Sequence, residues 1–269
     1  MSLADIVEKV KSGVVHIVHT VDGTRQASGT GFMVEGYLVT NYHVAYSPPK
    51  ESVVVLRTIY DDPDSFMGEI QMTNSDFLNK TETASDENNY DYVVFNIPEL
   101  SQQNLYNFKL SNYKQLKKRI GDKIFFLGYS FDKTNLACNS GIISSFYKSK
   151  SIDVIQIDAS VNHSNSGSPL IDPESSEVIG IITKKATGLN KTFEIFRSIL
   201  NENIEMLSAN KNLGIVVGNF ELTQGILAGQ NQMLEMTDYL ERSANVGIGY
   251  AFSVESLMNE NFYFENNQG

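Results

Sequence analysis

The chain has 269 residues and a formal charge of −11, from 32 acidic and 21 basic side chains. Hydrophobic residues make up 41% and charged residues 20%, which excludes a mainly disordered chain, while the acidic balance argues against broad nucleic-acid binding, which needs a basic face. Cys138 is the single cysteine, so an internal disulfide and a multi-cysteine zinc site are excluded and the fold must hold by packing alone.

In chain order, Leu3–Lys11 reads as a short amphipathic helix, because Leu3, Ile6, Val7 and Val10 recur at helical spacing. No run of about 18 apolar residues exists, so no membrane span is expected. The first thirty residues carry Asp5, Glu8, Lys9 and Lys11 and lack the apolar stretch of a signal peptide. As the chain stands the expected compartment is cytoplasmic; with a leader ahead of it, periplasmic or secreted.

From residue 12 to about 185, short runs rich in Val, Ile, Phe and Tyr alternate with turn residues. Val14–Val18, Tyr37–Thr40, Val53–Leu56, Tyr92–Ile97, Lys123–Leu127 and Val178–Ile182 are examples. The pattern predicts an all-β sandwich or barrel rather than alternating βαβ units. The texture changes near Thr187. Phe193, Phe196, Ile199, Leu200, Ile204 and Leu207 repeat at three and four, which predicts a helix. Met233, Leu234, Met236, Tyr239 and Leu240 suggest a second one, and Leu213–Val217 between them reads as a strand or a buried linker. Strand-like texture returns at Val246–Ser253. Residues 187–243 therefore read as a largely helical insertion in a β protein, and Glu260–Gly269 as a frayed end.

Three segments carry chemistry. Ser28–Val44, SGTGFMVEGYLVTNYHV, places two strands around a Glu-Gly turn and ends at His43. Asp91–Ile97, DYVVFNI, puts an acid at the mouth of an apolar strand. Asp158–Leu170, DASVNHSNSGSPL, sets Ser166 in a loop of small residues. His, Asp, Ser is one of the chain orders that convergent triads use.

Together with GDKIFFLGYSF, SGIISSF, VIGIIT and GIGYAFSVES, these segments resemble the HtrA/DegP branch of the trypsin-fold serine proteases. The resemblance implies two antiparallel six-stranded β-barrels, about residues 12–110 and 111–254, in a single protease domain carrying the helical insertion. It implies Ser166 as nucleophile, His43 as general base and Asp91 as the acid orienting the imidazole. The backbone N–H groups of Ser164 and Ser166 would form the oxyanion hole, and Ser160, Val161, Thr183 and Tyr250 would border the substrate pocket. The expected reaction is hydrolysis of a polypeptide through an acyl-enzyme, with no metal or organic cofactor. A serine hydroxyl needs a base to accept its proton during attack, and histidine, with an ordinary pKa near 6.5, suits that task.

The family usually has glycine where this chain has Ser164, and serine is disfavoured at positive φ by roughly 1 kcal/mol or more. The hole is therefore expected to stay collapsed until substrate or a partner orders it; the alternative is a catalytically inactive peptide-binding or signalling module. Asn165 precedes the nucleophile where trypsin-type zymogens use aspartate, so activation by a new amino terminus is not expected. Ser160 at the pocket base offers no counter-charge for Lys or Arg, which points to a small or medium aliphatic residue at the cleaved bond. Asp86 rivals Asp91 but sits among Ser85, Glu87, Asn88 and Asn89, a solvated loop. His163 reads as loop structure, Asp61–Asp64 as a charged turn, and Cys138 as a small core or strand-face residue. The insertion either packs onto the second barrel and does nothing else, or caps the substrate cleft or makes a homo-oligomer contact.

Overall fold

The computed structural model describes residues 1–59, 66–129, 134–162, 164–183, 188–209, 216–217, 220–243, 247–261 and 263. His163 and Asp61–Asp64 lie outside them. The chain forms two compact units, one of Met1–Lys184 with Gly247–Gly269 and one of Lys185–Val246.

Helix α1 (Leu3–Val10) starts at a capping box, in which Ser2 Oγ accepts the Asp5 N–H at 3.2 Å and Asp5 accepts the Ser2 N–H at 2.8 Å. Seven strands follow: β1 (Val14–Val21), β2 (Thr24–Val34), β3 (Tyr37–Thr40), β4 (Val53–Ile59), β5 (Phe66–Thr73), β6 (Thr81–Ser85) and β7 (Tyr92–Phe95). They pair antiparallel in the order β5-β4-β1-β2-β3-β7-β6. Short helices α2 (Tyr42–Tyr46), α3 (Asn74–Asn79) and α4 (Pro98–Ser101) fill the connections.

Next come β8 (Lys123–Tyr129), β9 (Leu136–Ser149), β10 (Ile152–Asp158), β11 (Pro169–Ile171) and β12 (Val178–Thr183). The second unit then holds helix α5 (Gly188–Ala209), strands β13 (Val216–Val217) and β14 (Phe220–Glu221), and helix α6 (Leu222–Ser243). The chain returns as β15 (Ile248–Ser253) and helix α7 (Glu255–Met258). Strand β15 closes a six-stranded barrel, in the order β10-β15-β12-β11-β8-β9. The expected pair of six-stranded barrels is thus matched in the second half of the first unit. The first half has seven strands, and among the described residues its edges β5 and β6 are not joined. Among the described residues no helix is long and apolar enough to cross a membrane.

Sheet and barrel share one core. Phe32, Val34 and Val39 from the sheet cluster with Phe125, Leu127 and Tyr129 from the barrel. Each is an alternate, inward-facing position of its strand, the arrangement a half-buried strand requires.

Two histidines of β1 are fully buried in this unit. His16 stacks on Tyr129, with ring centroids 4.2 Å apart, and neither of its ring nitrogens has a partner among the described residues. His19 Nδ1 lies 3.2 Å from Ser52 Oγ. Burial penalises the charged imidazole, so the pKa falls to about 3 at His16, where Arg57 and Arg25 add to it, and to about 4 at His19.

Both rings are neutral when folded, while the unfolded chain takes up protons below about pH 6.5. Stability is therefore full above that pH and declines as pH falls toward 4, by about 1.4 kcal/mol per pH unit for each group. His16→Phe keeps an aromatic ring against Tyr129 and removes the proton uptake. Urea unfolding at pH 7, 6, 5 and 4 should show a shallower decline in the variant than in the wild type.

Candidate active site

Asp91 sits just before β7 and is delivered by a tight turn. Its N–H donates to the Asp86 carbonyl at 3.0 Å, and its φ is +47°. Aspartate tolerates this left-handed conformation better than most residues, at a cost of about 1 kcal/mol. Exposed Asp86, the rival acid, serves the same turn, accepting the Asn88 N–H at 2.9 Å and the Asn89 side-chain amide at 3.1 Å. Buried Asn41, the residue before α2, donates its side-chain amide to the Asp91 carbonyl at 2.7 Å.

The Asp91 carboxylate is buried and fully occupied. One oxygen accepts the His43 backbone N–H at 3.1 Å, satisfying one of the donors that a helix start leaves orphaned. The other lies 2.8 Å from His43 Nδ1 and accepts the Thr183 hydroxyl at 2.9 Å. A carboxylate only accepts, so the imidazole proton resides on Nδ1 and the lone pair on Nε2. His43 thus has one fixed tautomer and keeps 28% of its side chain exposed, against 5% for Asp91.

Ser166 lies in the loop before β11, pinned from two sides. The Thr30 N–H of β2 donates to the Ser166 carbonyl at 2.9 Å. The Gly167 N–H donates to the Ile182 carbonyl at 2.9 Å, and the Ile182 N–H returns to the Ser168 carbonyl at 2.9 Å. The next residue on β12 is Thr183, whose hydroxyl reaches Asp91. On the other side Gly31 of β2 pairs with Thr40 of β3, three residues before His43. Ser166, His43 and Asp91 therefore share β2 and β12 as common supports. Among the described residues Ser166 Oγ forms no hydrogen bond to His43; in resting enzymes such bonds are often long and tighten only with substrate.

Close approach explains the glycines. A methyl group at Gly167, whose φ is +87°, would overlap the Thr30 carbonyl oxygen and the Thr40 hydroxyl. A methyl group at Gly29 would press into Val44 of α2. At Gly128 it would overlap the hydroxyl of fully buried Ser168.

Ser164 adopts the conformation its side chain was expected to avoid, with φ at +72°. Its hydroxyl lies 2.6 Å from Ser28 Oγ, and its carbonyl accepts the Thr30 hydroxyl at 2.8 Å. The Ser166 backbone N–H donates to no group among the described residues.

Of the residues expected to border the pocket, Thr183 and Tyr250 are direct cross-strand partners on β12 and β15. Ser160 is exposed, and Val161 is buried in the barrel core. The Thr183 hydroxyl is spent on Asp91. The Tyr250 ring packs edge-on to Tyr147 at 6.5 Å, while its neighbour Gly249, on the opposite face of β15, is the residue that meets Val161. Strand alternation accounts for this, since successive side chains point to opposite faces. The Thr183–Asp91 contact is the part of the site that sequence reasoning missed; the position of Thr183 at the end of β12, one residue beyond the pairing with the serine loop, is the signal.

Residues 29–181 match the model of the trypsin-like peptidase domain. The chain is 28% identical over 208 residues to serine protease HTRA1A of Danio rerio, covering 69% of this chain and 37% of that protein. It is 29% identical over 201 residues to serine protease HTRA3 of Homo sapiens, covering 69% and 40%. It thus spans about two fifths of the length of these curated relatives. Among solved structures it resembles an HtrA-type protease AlgW bound to a tripeptide, with TM-score 0.51, 24% identity and coverage of 68% of this chain and 54% of that one. It resembles Deg5 with TM-score 0.51, 23% identity and coverage of 68% and 84%.

Two glycines at positive φ separate strain from overlap. Gly23 has φ of +75° and open space around it. Gly23→Ala should cost about 1 kcal/mol, from the backbone alone. Gly167→Ala adds the overlap with Thr30 and should cost at least about 2 kcal/mol more. Thermal melts of the two variants side by side check this; equal shifts would contradict it.

Proposed function

The chain belongs to the trypsin-like peptidase family, and we propose that it is a serine endopeptidase working through a His43–Asp91–Ser166 triad. The observation that carries this reading is the His43 ring held at 2.8 Å from the Asp91 carboxylate, with Nδ1 protonated and Nε2 left to accept. In the proposed reaction Ser166 Oγ attacks the peptide carbonyl carbon as His43 Nε2 takes the hydroxyl proton. The imidazolium, stabilised by Asp91, gives that proton to the departing amine, leaving an acyl-enzyme. Water, deprotonated by His43, then releases the acid and restores Ser166. The Ser164 and Ser166 N–H groups would stabilise the oxyanion, and one such donor is worth about 2.7–4 kcal/mol in acyl transfer. The positive φ of Ser164 supports a hole held in one conformation at rest over one formed only on binding.

The substrate is a polypeptide in this reading, with a small or medium aliphatic residue at the cleaved bond, since exposed Ser160 brings no counter-charge. The seven-stranded sheet stands for the first of the two barrels of the fold, and residues 187–243 for an insertion into the second. An inactive peptide-binding module is not favoured, because the matched relatives are named proteases and the Asp91 carboxylate is committed to His43 and Thr183.

The insertion supports a further part of the proposal, self-association. Asn203 and Gln230, on either side of the β13–β14 hairpin, meet at 3.5 Å, as in an antiparallel helix pair. Ile195, Phe196 and Ile199 of α5 are exposed. Leu222, Ile226, Met233, Met236 and Leu240 of α6 are exposed too, at heptad spacing continued by Gly229. Each stripe is turned roughly 100–120° in the same sense from the inner face of its helix, which in an antiparallel pair puts both on one side. Together they form an exposed apolar surface of the kind that a stable interface covers. Leu222–Leu234 carries no charge, so two copies can meet there without repulsion.

Two measurements test the proposal. A fluorophosphonate probe should label the wild type and not Ser166→Ala, and Asp91→Asn should lower kcat by about ten-thousandfold at unchanged folding. Absence of any Ser166-dependent adduct, including with added peptides, would sink the protease reading. Light scattering should give about twice the 30.0 kDa chain mass, and Ile199→Glu with Met233→Glu should return a monomer. A monomeric wild type at micromolar concentration would remove the assembly claim.

A further inference from the structure

We propose that Ser28 is a positioning residue for the oxyanion hole, acting through a hydroxyl pair with Ser164; the inference rests on the reading of Ser166 as nucleophile. Ser28 Oγ and Ser164 Oγ lie 2.6 Å apart, and either can donate. They are 136 residues apart in the chain, so the pair exists only by virtue of the fold.

The argument turns on what is attached to the Ser164 α-carbon. Its carbonyl is held by the Thr30 hydroxyl at 2.8 Å, and its side chain by Ser28 at 2.6 Å. With two of the three heavy-atom branches tethered, the position of the third, its own nitrogen, is restrained, and the φ of +72° sets the direction of its N–H. That nitrogen bears one of the two N–H groups that would face the oxyanion. The other is set by Ser166, whose carbonyl is held by the Thr30 N–H at 2.9 Å. Both tethers at Ser164 come from one strand, and β2 cannot drift. It runs between β1 and β3, with Ser28 in register with Val18, and Gly29 lies hard against Val44 of the helix bearing His43.

The pair also answers the strain at φ +72°. A β-carbon disfavours that conformation, and left to itself a serine would leave it. A glycine would reach it without strain but would have no side chain to tether. This chain therefore holds by a side-chain hydrogen bond a geometry that glycine allows by lacking a side chain. Without the Ser28 hydroxyl, Ser164 should populate other conformations, with its N–H turned away from the oxyanion position. The loss should appear in kcat, since an oxyanion donor acts in the transition state, and leave KM nearly unchanged.

The test is a two-by-two set on the full chain: wild type, Ser28→Ala, Ser164→Gly and the double variant. The readouts are the rate of fluorophosphonate labelling at Ser166, and kcat and KM on an aliphatic peptide ester. Ser28→Ala should lower the labelling rate and kcat about five- to thirtyfold in the serine background, with KM within about twofold. In the glycine background the same substitution should cost less than about twofold. Equal losses in both backgrounds would overturn the proposal, as the mark of general destabilisation, and so would no loss in either. A wild type that takes no Ser166 label would overturn the protease reading and the positioning role with it. A labelled wild type matched by Ser28→Ala would overturn the positioning role alone.

Discussion

The grip of strand β2 on the serine-bearing loop is the constraint on which the candidate site depends. Thr30 contributes its N–H to the Ser166 carbonyl and its hydroxyl to the Ser164 carbonyl, and Ser28 meets the Ser164 side chain. The Thr30 hydroxyl also accepts the Tyr129 N–H at 3.1 Å, and the Thr30 carbonyl accepts the Thr40 hydroxyl at 2.6 Å. One threonine thus ties sheet, barrel and loop together. Each of these groups is buried or partly buried, where an unpaired donor or acceptor costs about 1–3 kcal/mol. The tie is correspondingly specific. Glycine is required at 29, 128 and 167 because the backbones and side chains it joins come closer than any side chain would allow.

Two strained backbone positions and a buried carboxylate lie around that tie. Asp91 and Ser164 both take left-handed backbone angles, which an isolated chain would avoid. Each is over-determined by its surroundings: Asp91 by the Asp86 turn, Asn41, His43 and Thr183, and Ser164 by Ser28 and Thr30. Strain of this kind persists where neighbouring groups leave no alternative, and it gathers at functional sites. Elsewhere, the buried Lys118–Asp172 pair at 2.7 Å shows the same logic in a structural role. Burial disfavours the Asp172 charge, but Lys118 and Ser175 outweigh it and hold the carboxyl below its usual range.

How legible these features are depends on the range of the interaction. Short β-branched and aromatic runs between turn residues announce most of the strands, because strand periodicity is local. The heptad-like repeats in α5 and α6 are equally local. The pieces around His43, Asp91 and Ser166 are recognisable because each sits in its own short strand-and-turn context. What escaped was non-local. Neither edge strand of the sheet, β5 (Phe66–Thr73) nor β6 (Thr81–Ser85), is among the runs the sequence pattern named; β6 is Thr- and Ser-rich and, among the described residues, pairs with β7 alone. The pleat of β15 likewise decides which of its residues meets which neighbour, Tyr250 packing on Tyr147 and Gly249 on Val161.

The sequence by itself determined the class of the fold and the change of texture after Thr187, and its resemblance to a known family singled out the three residues proposed as a triad. The first two follow from composition and local period, and the third from motifs whose side-chain types suit proton transfer and nucleophilic attack. Tertiary structure alone decided that Thr183 serves Asp91, that Asp91 caps the helix of His43, and that Ser164 keeps a positive φ in the company of Ser28. It also decided which half of the first unit closes as a barrel. The physical reason is that each of these rests on hydrogen bonds between groups dozens to more than a hundred residues apart, whose meeting depends on register and twist summed over many strands. Residue types set what such groups can do when they meet, and packing sets whether they do.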